Sequence, residues 1–450
     1  MSAVAAIVLR GRWRGIRRRR GRGERARARR KLLPSAAAGK RTLTGGRGRR
    51  AIILRPVPTS RYDAFAVAAP GLAPFVAGEL RGLAVAHGEP EAGGVPFTAD
   101  AAGLYAANLN LRTASRVLVR LAEFRASNFH ELERRTARVA WEEWLAPGRA
   151  VALRVTCRKS RLYHSGAVAQ RVGEALARVS GVEAGVAGGS ADAEGDVEGI
   201  AGPNEDGARQ LVVVRLLDDR CTISLDSSGA LLHRRGYRQA VGRAPLRETL
   251  AAAMLLASGW DVTTPLVDPF CGSGTIPIEG ALMARRIAPG RDRVFAFQQW
   301  PHYDGAAWRR VFARAREAER PAPAAIVGSD RDAGAIEAAR ANAERGSVGD
   351  DIAFERSPAS ALAPPEGVGA VVTNPPYGVR VAGAGDLRDL FARFGAVLGS
   401  RFAGWRVAVL SADPRLTGQL GMRLEERLRT SNGGIDVRLV AGVVEGAETG

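Results

Sequence analysis

From Tyr62 to Asp226 the chain alternates between runs of period two and stretches of helical spacing. Residues 62–69 (YDAFAVAA) predict a strand, 71–83 (GLAPFVAGELRGL) a helix and 93–99 (GGVPFTA) a second short strand. Leu104–Leu111 follows as a helix, and 115–126 (SRVLVRLAEFRA) as a strand alternating apolar with basic positions. An amphipathic pattern over 129–145 (FHELERRTARVAWEEWL) predicts one helix, and 150–165 (AVALRVTCRKSRLYHS) a strand running into a basic loop. A further helix spans roughly Gly166–Val179, and Gly181–Gly207, rich in Gly, Ala and acidic residues, has the composition of a loop insertion. Residues 211–226 read as a hairpin turning at Asp218–Asp219. Residues 62–228 are therefore small α+β material with mixed strand pairing.

Beyond Gly236 the rhythm changes. Apolar runs in TPLVDPF, AAIVGSD, DIAFER, VGAVVTNPPY and GWRVAVLSA are separated by helical stretches. Strand–helix alternation of this kind predicts an α/β domain with a parallel sheet covered by helices.

Three of those strands end in polar residues. Leu266–Val267 runs into Asp268, Pro269, Phe270 and Cys271, after which Gly272 and Gly274 make a tight turn into a helix beginning near Thr275. Glycines there let a ligand approach the backbone, and the helix start offers free N–H groups. The spacing is not that of a phosphate-binding G-x-G-x-x-G turn, and no Walker lysine follows. The next strand ends in Asp330, suited to gripping ribose hydroxyls or to capping a helix. The third ends in TNPPYG: Pro375 and Pro376 lack N–H groups and stop a regular strand, leaving a rigid corner that displays Asn374 and Tyr377. Successive parallel strands place all three ends along one carboxyl edge, where open α/β sheets bind ligands.

DPFCGSGT together with TNPPYG resembles the class I S-adenosylmethionine-dependent methyltransferases that modify exocyclic amino groups. LDSSGALLHRRGYR, APLRETLAAAMLLASGW and DPFCGSGTIPIEGALMARRIAPG resemble, more narrowly, the THUMP-domain RNA guanine-N2 methyltransferases, nearest the N-terminal half of the bacterial 23S ribosomal RNA branch. The resemblance implies a ferredoxin-like subdomain over 61–104, a THUMP RNA-binding domain over 105–228 and a Rossmann-like methyltransferase domain over 236–450. It implies S-adenosylmethionine as cofactor, no metal and an RNA partner, ribosomal first and tRNA second. Asp268, Phe270, Cys271, Gly272, Gly274 and Thr275 would surround the methionine part of the cofactor, and Asp330 its ribose. Asn374, Pro375, Pro376 and Tyr377 would form the catalytic corner, with Asn374 also touching the cofactor. Where relatives place an aspartate for the adenine amino group, this chain has Ser357 and Pro358, so Ser357 or backbone atoms are expected to take that part. Outside the guanine-N2 enzymes, the same motifs leave open a DNA adenine-N6 enzyme or a non-catalytic RNA-binding assembly factor.

Charge adds one distinction. The net charge is +20, but residues 1–60 hold 17 Arg and 2 Lys against Glu24, or +18, which leaves +2 for the other residues. The folded part is thus nearly neutral, and the local basic cluster is Arg158, Lys159, Arg161 and His164, expected to contact RNA. HRRGYR (His233–Arg238) reads equally as RNA contact or packing. Three cysteines without metal-site spacing, and no apolar run near the ~18 residues of a membrane helix, point to a reducing, cytoplasmic compartment. Residues 1–60 read as a disordered arm that binds RNA, as a start codon placed too early, or as a transit peptide. The expectation is a mature chain beginning near Tyr62, and peptides from Gly39–Arg61 in native protein would overturn it. If the arm is retained and binds RNA, deleting it will flatten the slope of log K against log salt, because each neutralised phosphate releases counterions.

Overall fold

The computed structural model describes residues 53–54, 61–181, 184–186, 209–239, 246–377 and 384–445. The Arg-rich residues 1–52 and most of the expected insertion, 187–208, lie outside the described residues.

In the first half, the described strands are β1 (Ile53–Leu54), β2 (Tyr62–Ala68), β3 (Ala86–His87), β4 (Gly94–Ala99), β5 (Ala114–Arg125), β6 (Val151–Arg158), β7 (Ala184–Val186), β8 (Gln210–Leu217) and β9 (Arg220–Asp226). They form one sheet in the order β3-β4-β2-β5-β9-β8-β6-β7, with β1 added to β5. Its helices are α1 (Ala73–Gly82), α2 (Ala101–Asn110), α3 (Phe129–Thr136) and α4 (Ser165–Ser180). The long strand β5 pairs with β2 on one side and β9 on the other, so the sheet is continuous across residue 104. The β8–β9 hairpin turns at Asp218 and Asp219 with φ of 50° and 61°, the left-handed pair that matches strand twist.

The single helix expected over 129–145 is not formed. α3 stops at Thr136 and a short 3-10 turn follows at Trp141–Glu143. Val139, Trp141, Trp144 and Leu145 are all buried, which one amphipathic helix face cannot accomplish. Trp141 also donates its indole N–H to the Thr136 carbonyl, 3.0 Å away, satisfying the helix end.

The second half contains β10 (Leu266–Asp268), β11 (Ile326–Asp330), β12 (Ile352–Arg356), β13 (Ala370–Thr373), β14 (Arg406–Ser411), β15 (Glu425–Asn432) and β16 (Ile435–Val443), in the order β12-β11-β10-β13-β14-β16-β15. Around them lie α5 (Glu248–Ser258), α6 (Thr275–Ala284), α7 (Gly305–Glu317), α8 (Ala333–Arg345), α9 (Ala384–Arg401) and α10 (Pro414–Gly418). β10 to β14 are parallel, and the central strands bury residues such as Leu266, Val267, Val371, Val372 and Val407–Leu410 on both faces, while the edge strand β12 leaves Ala353, Glu355 and Arg356 exposed. The sheet is not wholly parallel: β16 runs antiparallel to β14 and β15. The strand order reverses at β10, which opens a crevice beyond the carboxyl ends of β10, β11 and β13.

The two halves share one hydrophobic core, in which Tyr105, Leu225, Leu250 and Phe297 belong to the same cluster. Tyr105 of α2 stacks on Phe297 at 4.3 Å between ring centroids. HRRGYR fastens the join. Arg235 is buried, donates to the carbonyls of Leu232 and Arg112 at 2.6 Å, and pairs with Glu279 of α6 at 3.3 Å. Tyr237 donates its hydroxyl to the same carboxylate, and Arg238 reaches Thr275 Oγ1 at 2.8 Å. Packing therefore accounts for Arg235, Tyr237 and Arg238. Replacing Glu279 by Ala strands a buried guanidinium, and a loss of about 3–5 kcal/mol is expected in denaturant unfolding. A loss under about 1 kcal/mol, the scale of an exposed pair, would show that this carboxylate does not hold the junction.

Candidate active site

Three strand ends meet at the crevice. Asp268 ends β10 and is 1 % exposed. Its Oδ1 accepts the Thr373 hydroxyl at 2.6 Å and the Phe270 N–H at 3.2 Å. Burial pushes its carboxyl up to about 7, the two hydrogen bonds oppose that rise, and the charge of Asp330 adds to it.

The turn that follows is shaped by left-handed glycines. Gly272 has φ +52° and Gly274 φ +84°. A Cβ on Gly274 would lie 3.0 Å from the Ala339 Cβ and 3.1 Å from the Phe354 ring, so the turn also packs too closely for a side chain. Cys271 donates its N–H to the Ser329 carbonyl at 3.0 Å, which ties the turn to β11. Its thiol is buried, and burial together with Asp268 and Asp330 raises its pKa and keeps it protonated.

Asp330 ends β11. Its Oδ2 accepts the Gly272 N–H and its Oδ1 the Asp332 N–H, both at 3.0 Å. The helix-capping role is taken by Asp332, whose Oδ1 accepts Gly334 N–H at 2.7 Å and Ala335 N–H at 3.2 Å. Asp330 is thus an oriented carboxylate at the crevice, with lone pairs left over for hydroxyls.

β13 ends at Thr373, and the corner follows. Asn374 is half-buried, yet its amide oxygen Oδ1 is buried with no hydrogen-bond partner. Such an orphan acceptor is costly and is tolerated where a ligand N–H will satisfy it. Pro375 is buried and Pro376 exposed. Tyr377 packs against both core clusters, and its hydroxyl accepts from Asn432 Nδ2 at 3.0 Å, so the β15–β16 hairpin braces the corner.

A cavity of about 760 Å³ opens here, lined among others by Phe270, Asp330, Asn374 and Pro376. That is within the ~300–1,000 Å³ of small-molecule sites. The structure brings together Asp330, Phe270, Asn374 and Pro376 in its wall. Pro375 and Tyr377 lie outside that lining, as do Asp268, Cys271, Gly272, Gly274 and Thr275 behind it and Ser357, whose N–H is given to the Asp330 carbonyl at 3.0 Å. In the region of Ser357 the wall is made by Pro358, Ala359 and Ser360. Sequence reasoning also missed Arg331 and the α9 side chains Leu387, Leu390, Arg393 and Phe394. The spacing of Leu387, Leu390 and Phe394 on one helix face was the available signal. Phe394 meets Phe270 edge-on at 5.3 Å.

The basic cluster is remote in sequence and held in place. Arg158, Lys159, Arg161 and His164 are all exposed, while Leu162 between them is buried. Asp219 at the hairpin tip accepts the Arg161 N–H at 2.7 Å, and Ser160 Oγ accepts the Asp219 N–H at 3.1 Å. Among the described residues no three His, Cys, Asp or Glu side chains group as a metal site, and no helix is long and apolar enough to cross a membrane.

The residues fit S-adenosylmethionine: a turn held by two left-handed glycines, a carboxylate beside it that caps no helix, and a cavity of cofactor size. A seven-stranded sheet of this order with such a crevice defines an S-adenosylmethionine-dependent methyltransferase. Residues 235–441 match the family described as RMKL-like, methyltransferase domain, and residues 63–118 match the RlmL ferredoxin-like domain. The chain is 35% identical to a putative RNA methyltransferase of Synechocystis over 84% of its own length and 95% of that protein. It is 36% identical to the ribosomal RNA large subunit methyltransferase K/L of Syntrophotalea carbinolica, over 84% of this chain and 53% of that one. The chain therefore spans about half the length of the K/L relatives it matches. Among solved structures, a putative methyltransferase complexed with SAH superposes with a TM-score of 0.75 at 28% identity, covering 87% of this chain and all of that one. A predicted N6-adenine-specific DNA methylase from Listeria monocytogenes gives 0.72 at 31%, covering 84% and 96%. The protein belongs to the RMKL-like family of RNA methyltransferases.

Asp268 generates a pH prediction. With its folded pKa near 7 and an ordinary value of 3.8, the native state holds a proton between those values that the unfolded state has released. Stability of the cofactor-free protein should therefore fall as pH rises from about 4 to 7. Thermal unfolding across that range should show the fall, and Asp268→Asn should lack this component. An identical pH dependence in the variant would show that Asp268 is already ionised at low pH.

Proposed function

We propose that the protein methylates the exocyclic N2 of a guanosine in RNA, in large-subunit ribosomal RNA first and tRNA second. The observation that supports this is the buried, unpartnered Asn374 Oδ1 on a proline-rigid corner beside Asp330.

Bound S-adenosylmethionine supplies an electrophilic methyl group on a sulfonium. Asp330 would accept hydrogen bonds from the ribose hydroxyls, with the Gly272–Gly274 turn and Asp268 about the methionine end. The guanine amine is a poor nucleophile because its lone pair is delocalised into the ring. Asn374 Oδ1 accepts one of its N–H groups, and a carbonyl of the corner accepts the other. Both bonds aim the nitrogen and favour its pyramidalisation, an electrostatic and positional effect that requires no strong base. Tyr377, fixed through Asn432, offers a ring of set orientation to a base taken out of its stack. Arg158, Lys159, Arg161 and His164 would hold the RNA at a distance from the corner, in the region expected to be THUMP.

The Listeria relative favours a second reading, because an adenine N6 amine also carries two N–H groups for the same corner. Mass spectrometry of nucleosides from cells with and without the gene separates the two. Loss of N2-methylguanosine from large-subunit RNA supports the first reading, and loss of N6-methyladenine from DNA supports the second. A chain that fails to bind S-adenosylmethionine would instead be an assembly factor.

Two variants should divide the kinetics. Asn374→Ala should lower kcat by roughly 10²-fold or more with cofactor affinity nearly intact, as loss of a transition-state contact does. Asp330→Ala should raise the KM for cofactor, by hydrogen bonds worth about 1.5–3 kcal/mol to a charged acceptor. Wild-type turnover in the first, or an unchanged cofactor KM in the second, would remove that residue from its role.

A further inference from the structure

The basic loop after β6 carries one side chain that charge does not explain. Tyr163 is 68 % exposed, and no other Phe, Tyr or Trp among the described residues is comparably open to solvent. Its ring lies 4.1 Å from that of His164, centroid to centroid, with 41° between the planes. The two rings stand side by side where the loop enters α4.

The loop beneath them is fixed from several directions. Leu162, between Arg161 and Tyr163, is buried in the core shared by the two halves. Asp219 at the tip of the β8–β9 hairpin accepts the Arg161 N–H at 2.7 Å and gives its own N–H to Ser160 Oγ at 3.1 Å. Ser160 in turn donates its hydroxyl to the Arg158 carbonyl at 2.9 Å. Tyr163 is therefore an apolar face presented by a loop that is already ordered, and ordering it costs a ligand little.

Charge alone gives this loop a modest grip. Arg161 is balanced by Asp219, whose Oδ2 lies 3.8 Å from its Nε. Arg158 and Lys159 form no ion pair among the described residues, and Asp218 beside them is exposed, so two cations less one carboxylate leave an excess of one. An exposed ring flanked by a small positive excess suits a ligand with a flat apolar face and a sparse negative charge, which is an unstacked nucleotide.

We propose that Tyr163, with His164 against it, is a stacking platform for an unpaired base of the RNA, and that Arg158 and Lys159 meet the neighbouring phosphates. The bases of a duplex already stack on one another, so a duplex offers this ring nothing. The platform selects a single-stranded stretch outside the nucleotide presented to Asn374. The inference deepens the reading of this cluster as an RNA contact and rests on RNA being the substrate.

The test uses the full-length protein with two labelled RNA probes of equal length, one an unstructured single strand and one a blunt duplex, titrated over a range of KCl concentrations. Tyr163→Ala should weaken single-strand binding roughly tenfold or more, most visibly at high salt, where stacking outlasts charge attraction. It should leave the slope of log K against log salt unchanged and duplex affinity within about twofold. Tyr163→Phe, which keeps the ring, should bind the single strand as the wild type does. Arg158→Ala should reduce the single-strand slope by about 0.7. An unaltered unfolding midpoint in Tyr163→Ala reports an intact loop, and if that midpoint falls, Tyr163→Leu, apolar but without a π face, decides in its place. Single-strand affinity equal to wild type, an equal loss on both probes, or an equal loss in Tyr163→Phe would each overturn the platform. Methyl transfer to a large-subunit ribosomal RNA transcript by the wild type is measured alongside. An active wild type whose binding ignores Tyr163 removes only the platform, whereas a wild type that neither binds nor methylates RNA removes the functional reading and the platform together.

Discussion

The 2.6 Å hydrogen bond from the Thr373 hydroxyl to Asp268 is where the two chemistries of the site touch. It joins the end of β10, which leads into the glycine turn, to the end of β13, which leads into the corner. Both residues are buried, so the bond forms in a medium of low dielectric where neither group has water as an alternative partner. The corner therefore has no freedom to drift from the turn. A second bond, from Gly272 N–H to Asp330, ties the turn to β11 in the same way. Three strand ends that the sheet merely makes neighbours are converted by these two bonds into one rigid edge.

That rigidity gives the orphan acceptor its meaning. An unpartnered amide oxygen on a mobile loop would swing to water. On Asn374 it is held between a buried strand end and Pro375, and its unsatisfied valence persists as a fixed feature of the cavity. An unmet acceptor of this sort is usual where a protein is complementary to something other than itself.

The strand ends were legible in the sequence because local rules generate them. Glycines at left-handed positions, an acidic residue closing an apolar run, and two prolines after Asn374 each act within a few residues of themselves. The hairpin at Asp218–Asp219 was legible for the same reason. What escaped was set by distant contacts. The α9 residues that line the cavity face it only because β13 and β14 are neighbours in the sheet. Asn432 finds Tyr377 from 55 positions away. The helix expected to run to Leu145 was broken by the burial of Trp141 and Trp144, and the ring partners of Trp144, Tyr62 and Trp300, lie far along the chain. Arg235 and Arg238 read equally as RNA contacts or as packing because sequence shows their charge and hides Glu279 and Glu248.

The shared core has a mechanical consequence. Two halves joined by a continuous apolar cluster, a stacked aromatic pair and a buried ion pair have no hinge between them, since opening one would expose Tyr105, Phe297 and Arg235 together. Such a molecule does not clamp shut on its partner as hinged enzymes do. More of the work of fitting then falls to the RNA than to the protein.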